Sequence, residues 1–484
     1  MKPIRQIILS QFVNIKILMS GAINLYMVVL YLICFESPVF SQVQQSPVFK
    51  DGDRVCFVGN SITNNAQFYN FVNLYYATRY PEHKVVFVNC GISGDATQGV
   101  LNRMKSDILV HNPTWSVLMI GMNDVNRDLY AKSRQKDDGI ERKKEEALEL
   151  YRKNLEIIVQ ELIKDGRKLI LQMPSIYDQT SNLAVENLLG VNDALKKCAE
   201  DTQVLANKYN LPVVDYWRIL SEVNQTIHKK DSSATIIGND RVHPGAPGHL
   251  VMAYEFLKST GGSEYVSKIV IEKDTKKSNN KSINCIVKNI VYRKGHIEFE
   301  VKEGSLPFPI VSDARPALSL VPFIDRFNKE VLQVAKIPSG EYQLFIDGLP
   351  IGTYTFQELR NGINLAQAEN TPQYLQSLKI MELFTEYRNT QAIYRNIVTV
   401  EIFNLPDSLK NASLENKEAY LNQNLEQKYK TTTNYEYYKW RSKSYITNKS
   451  AQAEIQKKIS ELIETVYQSN KPVSHTFRLT KISK

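Results

Sequence analysis

The sequence predicts a parallel, doubly wound α/β sheet over residues 50–262, followed by a small β-rich unit and a mainly helical C-terminal region. Two observations support the sheet. Short runs rich in Val, Ile and Leu alternate with longer segments of helical periodicity, and these runs show little polar alternation. Such runs are typical of strands buried on both faces, and helices between them imply right-handed crossovers.

Each element of this sheet has a local signal. Five apolar runs predict five strands, at residues 54–59, 84–91, 115–121, 167–174 and 211–217. Segments of helical periodicity predict the helices between and after them, at residues 65–81, 96–113, 140–166, 184–210 and 245–259. Proline ends the first two helices and Gly166 ends the third, as expected for residues that do not continue a helix.

The pattern changes after the last of these helices. Residues 272–282 are polar and predict a linker or loop, and alternation typical of strands follows over residues 283–356. Asp347-Gly348 lies between two such runs and predicts a hairpin. Residues 357–484 are mostly helical, with an apolar stripe at residues 455–466 that indicates a helix packed on the body. The final run, 475–482, predicts a strand that returns to the β-rich unit.

The N-terminus predicts export. Lysine and arginine precede an apolar stretch at residues 23–35, which is short for a membrane span but suits the core of a signal peptide. Val39 and Ser41 are small enough for a signal peptidase, so we expect residues 1–41 to be cleaved after Ser41 and the protein to be periplasmic or secreted. A start at Met19 and retention as an uncleaved anchor are the alternatives; once cleaved, we expect no stable membrane insertion.

Composition excludes several other classes of protein. The 484 residues carry a net charge of +9, but no zinc-finger spacing or RNA-binding signature accompanies it, so we expect no nucleic-acid partner. Lysine-rich solvated faces account for the charge. The five cysteines are scattered without C-x-x-C pairing, which argues against metal binding. Cys56 and Cys90 lie in apolar runs and are expected to be buried.

Polar residues follow the ends of the predicted strands, where a parallel sheet places its active site. Ser61 follows the first strand at the start of a helix, either as a nucleophile or as a simple helix cap. Gly91 ends the second strand, where its N–H can approach a ligand closely. Asn123 follows the third, where its amide can donate to an oxyanion. Asp240 and His243 are three residues apart, a spacing that lets the carboxylate orient the imidazole.

These residues resemble the SGNH hydrolases, also called GDSL esterases. Residues 59–63 (GNSIT) are similar to the first block of that family, which usually reads Gly-Asp-Ser. Gly91 matches the second block, residues 121–124 (GMND) the third, and residues 240–244 (DRVHP) the last, in family order.

The resemblance implies an SGNH-hydrolase-like, flavodoxin-like catalytic domain over residues 48–265. It implies Ser61 as nucleophile, His243 as general acid and base, and Asp240 as its orienter. It also implies an oxyanion hole formed by the Ser61 and Gly91 N–H groups and the Asn123 side chain. Asn60 departs from the usual aspartate; we expect activity to survive with a shifted pH profile.

The expected activity is therefore that of a serine esterase. Because this mechanism supplies its own nucleophile, we expect no cofactor or metal. Residues 305–309, 340–342, 346–348 and 362–366 resemble the C-terminal extension of secreted bacterial members grouped with polysaccharide-degrading enzymes. The expected substrate is therefore an O-acetyl group on a polysaccharide. Arylesterase, lipase-like and thioesterase activities are alternatives.

A carbohydrate-binding protein on a degenerate hydrolase fold is the rival from another class. In that protein, the aromatic and basic run at residues 435–445 would contact sugars; the alternative for this run is a packed helix face.

Overall fold

Five parallel strands form the central sheet, as the sequence predicts. The computed structural model describes residues 47–432 and 434–482. The strands pair in the order β2-β1-β3-β4-β5, with every neighbouring pair parallel. Their bounds are β1 (Arg54–Gly59), β2 (Val86–Gly91), β3 (Trp115–Met119), β4 (Lys168–Gln172) and β5 (Val213–Val214).

Helices cover both faces of this sheet. They are α1 (Ser61–Asn65), α2 (Gln67–Arg79), α3 (Thr97–Arg103), α4 (Ile140–Ile163), α5 (Val191–Tyr209), α6 (Tyr216–His228) and α7 (Ala246–Ser259). Alternate residues of β1 enter separate cores: Phe57 packs in one core with α2 and α7, while Val58 packs in the other with α4 and α5. The two-sided burial explains why the strand sequences lack polar alternation.

Several of the predicted elements differ in detail. The predicted helix at 65–81 is two helices, because Ala66 adopts a left-handed conformation (φ +67°) between them. The predicted strand at 211–217 is only two residues long, because Asp215 accepts a hydrogen bond from the Arg218 N–H and begins α6. The predicted helix at 96–113 is regular only to Arg103; a π turn and a 3₁₀ turn follow it.

Two further sheets follow. A three-stranded sheet has the order β12-β9-β6, and a five-stranded antiparallel sheet has the order β11-β10-β13-β8-β7. Their strands are β6 (Tyr265–Ile271), β7 (Cys285–Arg293), β8 (His296–Glu303), β9 (Lys329–Val334), β10 (Glu341–Ile346), β11 (Leu349–Thr355), β12 (Ile363–Asn364) and β13 (Ser474–Lys481). The predicted returning strand is confirmed, since β13 pairs with both β8 and β10. The predicted hairpin is also confirmed, with Asp347 and Gly348 at positive φ between β10 and β11.

The segment predicted as a linker contains a helix instead. Residues Thr275–Lys281 form α8, because the Asp274 side chain accepts the Lys277 N–H and caps the first turn. The remaining helices are α9 (Phe323–Phe327), α10 (Phe356–Asn361), α11 (Pro372–Thr399), α12 (Leu414–Asn424), α13 (Tyr435–Asn448) and α14 (Gln452–Ser469). The apolar stripe of α14 packs on the body as predicted, with Leu462 and Val466 buried in the core that contains Phe57.

Helices α11 and α14 cover the edge strand β2 of the central sheet. Tyr387 and Gln391 of α11 both donate to the Phe87 carbonyl, at 2.7 and 3.0 Å. The Val85 N–H donates to the Tyr467 hydroxyl of α14 at 3.0 Å. The C-terminal region therefore pairs with backbone groups that the edge of an open sheet leaves free.

Some sequence-based expectations concern residues outside the described part of the chain. The predicted signal peptide at residues 1–41, its cleavage after Ser41 and the alternative start at Met19 all lie there. Within the described residues, none of the helices combines the length and apolar character needed to cross a bilayer. The boundaries at residues 48–265, 283–356 and 357–484 stay predictions.

Candidate active site

Ser61 is the first residue of α1, directly beyond the carboxyl end of β1. Asn60 caps this helix, since its side-chain oxygen accepts the Ile62 N–H at 3.1 Å. Gly59 makes the turn possible: a Cβ there would lie 2.3 Å from the Thr63 hydroxyl and 2.4 Å from the Met119 carbonyl. The short polar cluster after the strand therefore holds the serine at the sheet edge.

The structure brings Ser61, His243 and Asp240 together in a hydrogen-bonded chain. Ser61 Oγ lies 2.7 Å from His243 Nε2, and His243 Nδ1 lies 2.5 Å from Asp240 Oδ2. The other Asp240 oxygen accepts the backbone N–H groups of Val242 and His243, at 3.0 and 2.9 Å. Burial raises the pKa of Asp240, but these hydrogen bonds outweigh it and hold that pKa well below its ordinary value. Asp240 is thus a charged acceptor for the imidazole.

Arg241 fixes the loop that carries His243. Arg241 itself has a positive φ of +65°, and its side chain is buried. Its guanidinium donates to four backbone carbonyls at 2.9–3.1 Å, those of Asp178, Ser181, Leu183 and Val185. The Asp178 N–H donates back to the Arg241 carbonyl at 2.9 Å. Sequence reasoning missed this residue, although its position inside the Asp-x-x-His motif was a usable signal.

Asn123 lies beyond the end of β3, next to the loop that follows β2. Its amide donates one hydrogen bond to the Asp95 carbonyl at 2.8 Å, and its oxygen accepts from Arg127 at 3.4 Å. These contacts fix which way the amide points. The second hydrogen of the amide has no partner among the described residues. A cleft of about 440 Å³ opens beside Asn123 and Ala96.

Gly91 differs from its sequence-based expectation as an oxyanion donor. Its N–H donates to the Asn89 side chain at 2.9 Å, so that N–H is already engaged within the chain. A Cβ at Gly91 would lie 2.3 Å from the Asn64 N, which shows that this glycine lets α1 pack closely on β2. The absence of a side chain at Gly91 therefore serves the close packing of α1 on β2.

Gly94, three residues further along, has the properties expected of a donor. It has a φ of +85°, and no atom lies within 4 Å of the place where a Cβ would stand. Its backbone N–H has no hydrogen-bond partner among the described residues. Both glycines lie in the run NCGISGDAT at residues 89–97, and their surroundings differ only in the folded chain.

The remaining candidate residues have structural partners. Asp124 accepts the Thr97 N–H and hydroxyl at 2.7 and 2.6 Å, and burial raises its pKa to about 6. His249 lies in α7; its ring stacks on Phe68, and burial lowers its pKa to about 3. Cys56 and Cys90 are buried and free, as predicted. Over residues 47–432 and 434–482, no cluster of three or more His, Cys, Asp or Glu side chains offers a metal site.

Comparison with known proteins places this site in a family. The family model described as the GDSL-like Lipase/Acylhydrolase family matches residues 57–251, which span Ser61, Gly94, Asn123 and the Asp240–His243 pair. Residues 57–251 therefore match the SGNH hydrolases, and this match supports a carboxylic ester hydrolase.

Individual relatives extend this result. The acetylxylan esterase of Geobacillus stearothermophilus is 26% identical over 226 residues, covering 43% of this chain and 94% of the relative. The structure of BT4096, a gut microbial diltiazem-metabolizing enzyme, is 29% identical with a TM-score of 0.82, covering 91% of this chain and 100% of that one. The crystal structure of Axe2, an acetylxylan esterase from the same Geobacillus species, is 25% identical with a TM-score of 0.36, covering 44% of this chain and 96% of that one.

Proposed function

We propose that this protein is a serine esterase that removes O-acetyl groups from polysaccharides through an acyl-enzyme intermediate. The observation that carries the esterase mechanism is the continuous chain from Ser61 Oγ to His243 and Asp240, with contacts of 2.7 and 2.5 Å. Such a chain has the geometry of nucleophile, general base and orienter.

The reaction follows from the placement of these groups. Ser61 Oγ attacks the ester carbonyl carbon while His243 Nε2 accepts the hydroxyl proton, and Asp240 stabilises the imidazolium that forms. The tetrahedral intermediate collapses as His243 donates that proton to the leaving alkoxide. A water molecule, deprotonated by His243, then attacks the acyl-enzyme, and release of the carboxylic acid regenerates Ser61.

The developing oxyanion needs donors beside Ser61. We assign this role to the Ser61 N–H at the start of α1, the Gly94 N–H and the free amide hydrogen of Asn123. Gly94 takes the place that Gly91 holds in the sequence-based expectation, because the Gly91 N–H is occupied by Asn89. The first turn of α1 adds the positive end of its peptide dipoles.

Two features support an acetylated glycan as substrate. The similarity to an acetylxylan esterase spans 94% of that relative. The side chains of His243 and Asp240 are 47% and 53% exposed, an open arrangement suited to a polymer. The N-terminal segment at residues 1–41 supports a periplasmic or secreted location, where such polymers occur.

A second substrate class is a small organic ester. It is favoured by the similarity to a diltiazem-metabolizing enzyme, which extends over 91% of this chain and so includes the C-terminal helices. Conversion of diltiazem, followed by mass spectrometry, tests this class beside the glycans.

The test of the proposed function compares wild type with Ser61→Ala on p-nitrophenyl acetate, acetylated xylan and acetylated pectin. We expect wild type to release acetate and Ser61→Ala to lose at least about 10³-fold in kcat, since the nucleophile is removed. Ser221→Ala is the matched control, because its hydroxyl bonds only the Trp217 carbonyl within α6. Equal inactivity of all three proteins on every ester would favour a carbohydrate-binding protein instead.

A further inference from the structure

A C-terminal arginine reaches underneath the candidate active site. Arg395 lies on α11, about 300 positions after β2 in the chain. Its guanidinium forms a two-pronged ion pair with Asp107, at 2.5 and 2.6 Å, and its Nε donates to the Gly91 carbonyl at 2.8 Å. The Arg395 side chain is only 2% exposed. A guanidinium is suited to this bidentate contact with a carboxylate.

Asp107 also forms an ion pair with a second arginine. Arg103 of α3 donates to Asp107 at 2.7 Å and to the Asp95 carboxylate at 2.8 Å. The side chains of all four members, Arg395, Asp107, Arg103 and Asp95, are at most 3% exposed. Two cations and two anions balance one another, which is the condition under which buried charges are tolerated.

The network ends at the residues assigned to the oxyanion. Asp95 follows Gly94 directly, and the Asp95 carbonyl accepts the Asn123 amide at 2.8 Å. Arg395 thus holds the loop after β2 at both ends: at Gly91 by a direct hydrogen bond, and at Asp95 through Asp107 and Arg103. The loop between these two points carries the Gly94 N–H.

We propose that Arg395 is a positioning residue for the oxyanion-binding groups, which makes α11 a working part of the catalytic centre. This role rests on the proposed function. Arg395 is buried and acts only through the loop after β2 and Asn123. Its loss therefore weakens transition-state stabilisation while leaving substrate binding largely unchanged.

Tyr387 supplies a matched control on the same helix. Its hydroxyl also joins α11 to β2, but at the Phe87 carbonyl, four residues before the strand end and apart from the loop. Tyr387→Phe removes a buried contact of α11 with β2 and leaves the arginine and aspartate network in place. Comparing the two variants separates positioning of the loop from attachment of the helix.

The experiment measures kcat, KM and thermal midpoint for wild type, Arg395→Met, Arg395→Lys, Arg395→Ala and Tyr387→Phe on p-nitrophenyl acetate. We expect Arg395→Met to lose about 100-fold in kcat with KM within threefold, and Arg395→Lys to lose less. Guanidinium ion at millimolar concentration should restore part of the activity of Arg395→Ala. Tyr387→Phe should stay within threefold of wild type in kcat. Hydrogen exchange at residues 91–97 should rise in Arg395→Met alone.

Two results would overturn this role. If Tyr387→Phe lost as much kcat as Arg395→Met, or if exchange at residues 91–97 were unchanged in Arg395→Met, Arg395 would only stabilise the helix. Arg395→Lys keeps the charge and provides the comparison if Arg395→Met does not fold. Inactivity of wild type on every ester would instead reject the proposed function, and the role of Arg395 with it.

A separate observation concerns a cleft in the β-rich part of the chain. The cleft has a volume of about 1480 Å³ and is bordered by the turn between β7 and β8, the loop before β10 and the end of β13. Its lining includes six cationic side chains, those of Lys273, Arg293, Lys294, Lys336, Arg360 and Lys481. Among the described residues that line it, Glu341 is the only acidic one.

The cations of this cleft are available to a ligand. All six residues are exposed, and none has an acidic partner within 4.0 Å among the described residues. The hydroxyl of Tyr292, another lining residue, is buried and lacks a hydrogen-bond partner in the same part of the chain. Cations of one sign around a concave surface focus the field on an anion.

We propose that this cleft binds an acidic polysaccharide through the carboxylates of its uronic acid residues. The assignment rests on the proposed function, which supplies a glycan as the polymer. The cleft volume exceeds the roughly 300–1,000 Å³ typical of small-molecule pockets, and this favours several sugar residues over a single small anion. Binding there would tether an acetylated acidic glycan to the chain that carries Ser61.

The test measures binding of polygalacturonate to the full chain carrying Ser61→Ala, so that no turnover occurs. Arg293→Gln, Lys294→Gln and Lys336→Gln are combined in one variant. Lys153→Gln, Lys197→Gln and Lys230→Gln form the control, since these lysines are exposed and lie outside the cleft. We expect the cleft variant to bind about tenfold more weakly, the control to change less than twofold, and binding to weaken as salt rises.

Three results would overturn the cleft assignment. Equal weakening in the control variant would show attraction by net charge alone. Absence of polygalacturonate binding at low salt would remove the ligand class. Tighter binding of a single-stranded oligonucleotide would indicate a nucleic-acid partner. Acetate release by wild type is measured separately, so each of these results is distinguishable from failure of the esterase function.

Discussion

At the residue scale, Asn60 determines part of the surroundings of Ser61 at the end of β1. Asn60, beside the serine, uses its side-chain oxygen as a helix cap and is only 2% exposed. The family resemblance emphasises the absence of the usual aspartate at this position. In the structure, the amide supplies the same acceptor to the Ile62 N–H without the charge.

This comparison predicts the effect of Asn60→Asp. The carboxylate keeps the cap, so the thermal midpoint should change by less than about 3 °C. Its negative charge lies next to Ser61 and favours the protonated imidazole of His243, so the acidic limb of the kcat/KM profile should move to higher pH. A profile that coincides with wild type at low ionic strength would contradict this prediction.

At the scale of elements, the loop between Asp240 and His243 depends on a contact from outside itself. Arg241 joins it to the segment at residues 178–185 through carbonyl groups that no regular element uses. A guanidinium has enough donors in a fixed plane to reach several carbonyls, whereas an ammonium does not. The buried Arg241 side chain therefore fixes the loop that carries His243.

Arg241→Met tests this arrangement. We expect kcat on p-nitrophenyl acetate to fall about 10- to 100-fold, because the imidazole loses its alignment with Ser61. Arg241→Lys should fall between Arg241→Met and wild type. Arg152→Met is the control, since this arginine forms its ion pair with Asp201 on the surface, away from the loop. Wild-type kcat in Arg241→Met would show that the loop is held by other contacts.

At the scale of the whole molecule, two buried glutamates join the separate sheets. Glu303 of β8 and Glu330 of β9 share the Gln373 amide of α11, at 3.4 and 2.6 Å, and Ser267 of β6 donates to Glu303. Burial raises the pKa of Glu303 to about 7, and burial together with the neighbouring Glu303 raises the pKa of Glu330 well above its ordinary value. The folded chain therefore retains protons here that the unfolded chain releases.

The sign of the resulting pH dependence is definite. A carboxyl whose folded pKa exceeds its unfolded pKa stabilises the fold fully below the unfolded value, and this stability is lost as the pH rises through the folded value. We expect the free energy of unfolding to fall between about pH 4.5 and pH 7. The double variant Glu303→Gln and Glu330→Gln should flatten this dependence in urea unfolding.

Glu300→Gln, on the same strand as Glu303 but only half-buried, serves as the control and should leave the slope unchanged. An unaltered slope in the double variant would show that other groups dominate the pH dependence.

The similarity to BT4096 over 91% of this chain, with a TM-score of 0.82, indicates that the connection between sheets and C-terminal helices belongs to a shared architecture.

The sequence by itself determined the parallel sheet, the order of its elements and the three residues that form the hydrogen-bonded chain. These features depend on local pattern: both-face burial in strands such as residues 54–59, and polar residues at the strand ends where Ser61 and Asn123 lie. The resemblance to a known family added the pairing of Ser61 with His243 and Asp240, which are 182 and 179 positions away.

Only the tertiary structure decided which glycine offers a free N–H, what holds the Asp240–His243 loop, and what the C-terminal region does. Gly91 and Gly94 look equivalent in the motif, and the position of Asn89 and α1 distinguishes them. Arg395 is an ordinary helical arginine in the sequence, and its contact with Asp107 spans 288 positions. Hydrogen bonds between distant segments depend on how elements pack, and no local pattern encodes that packing.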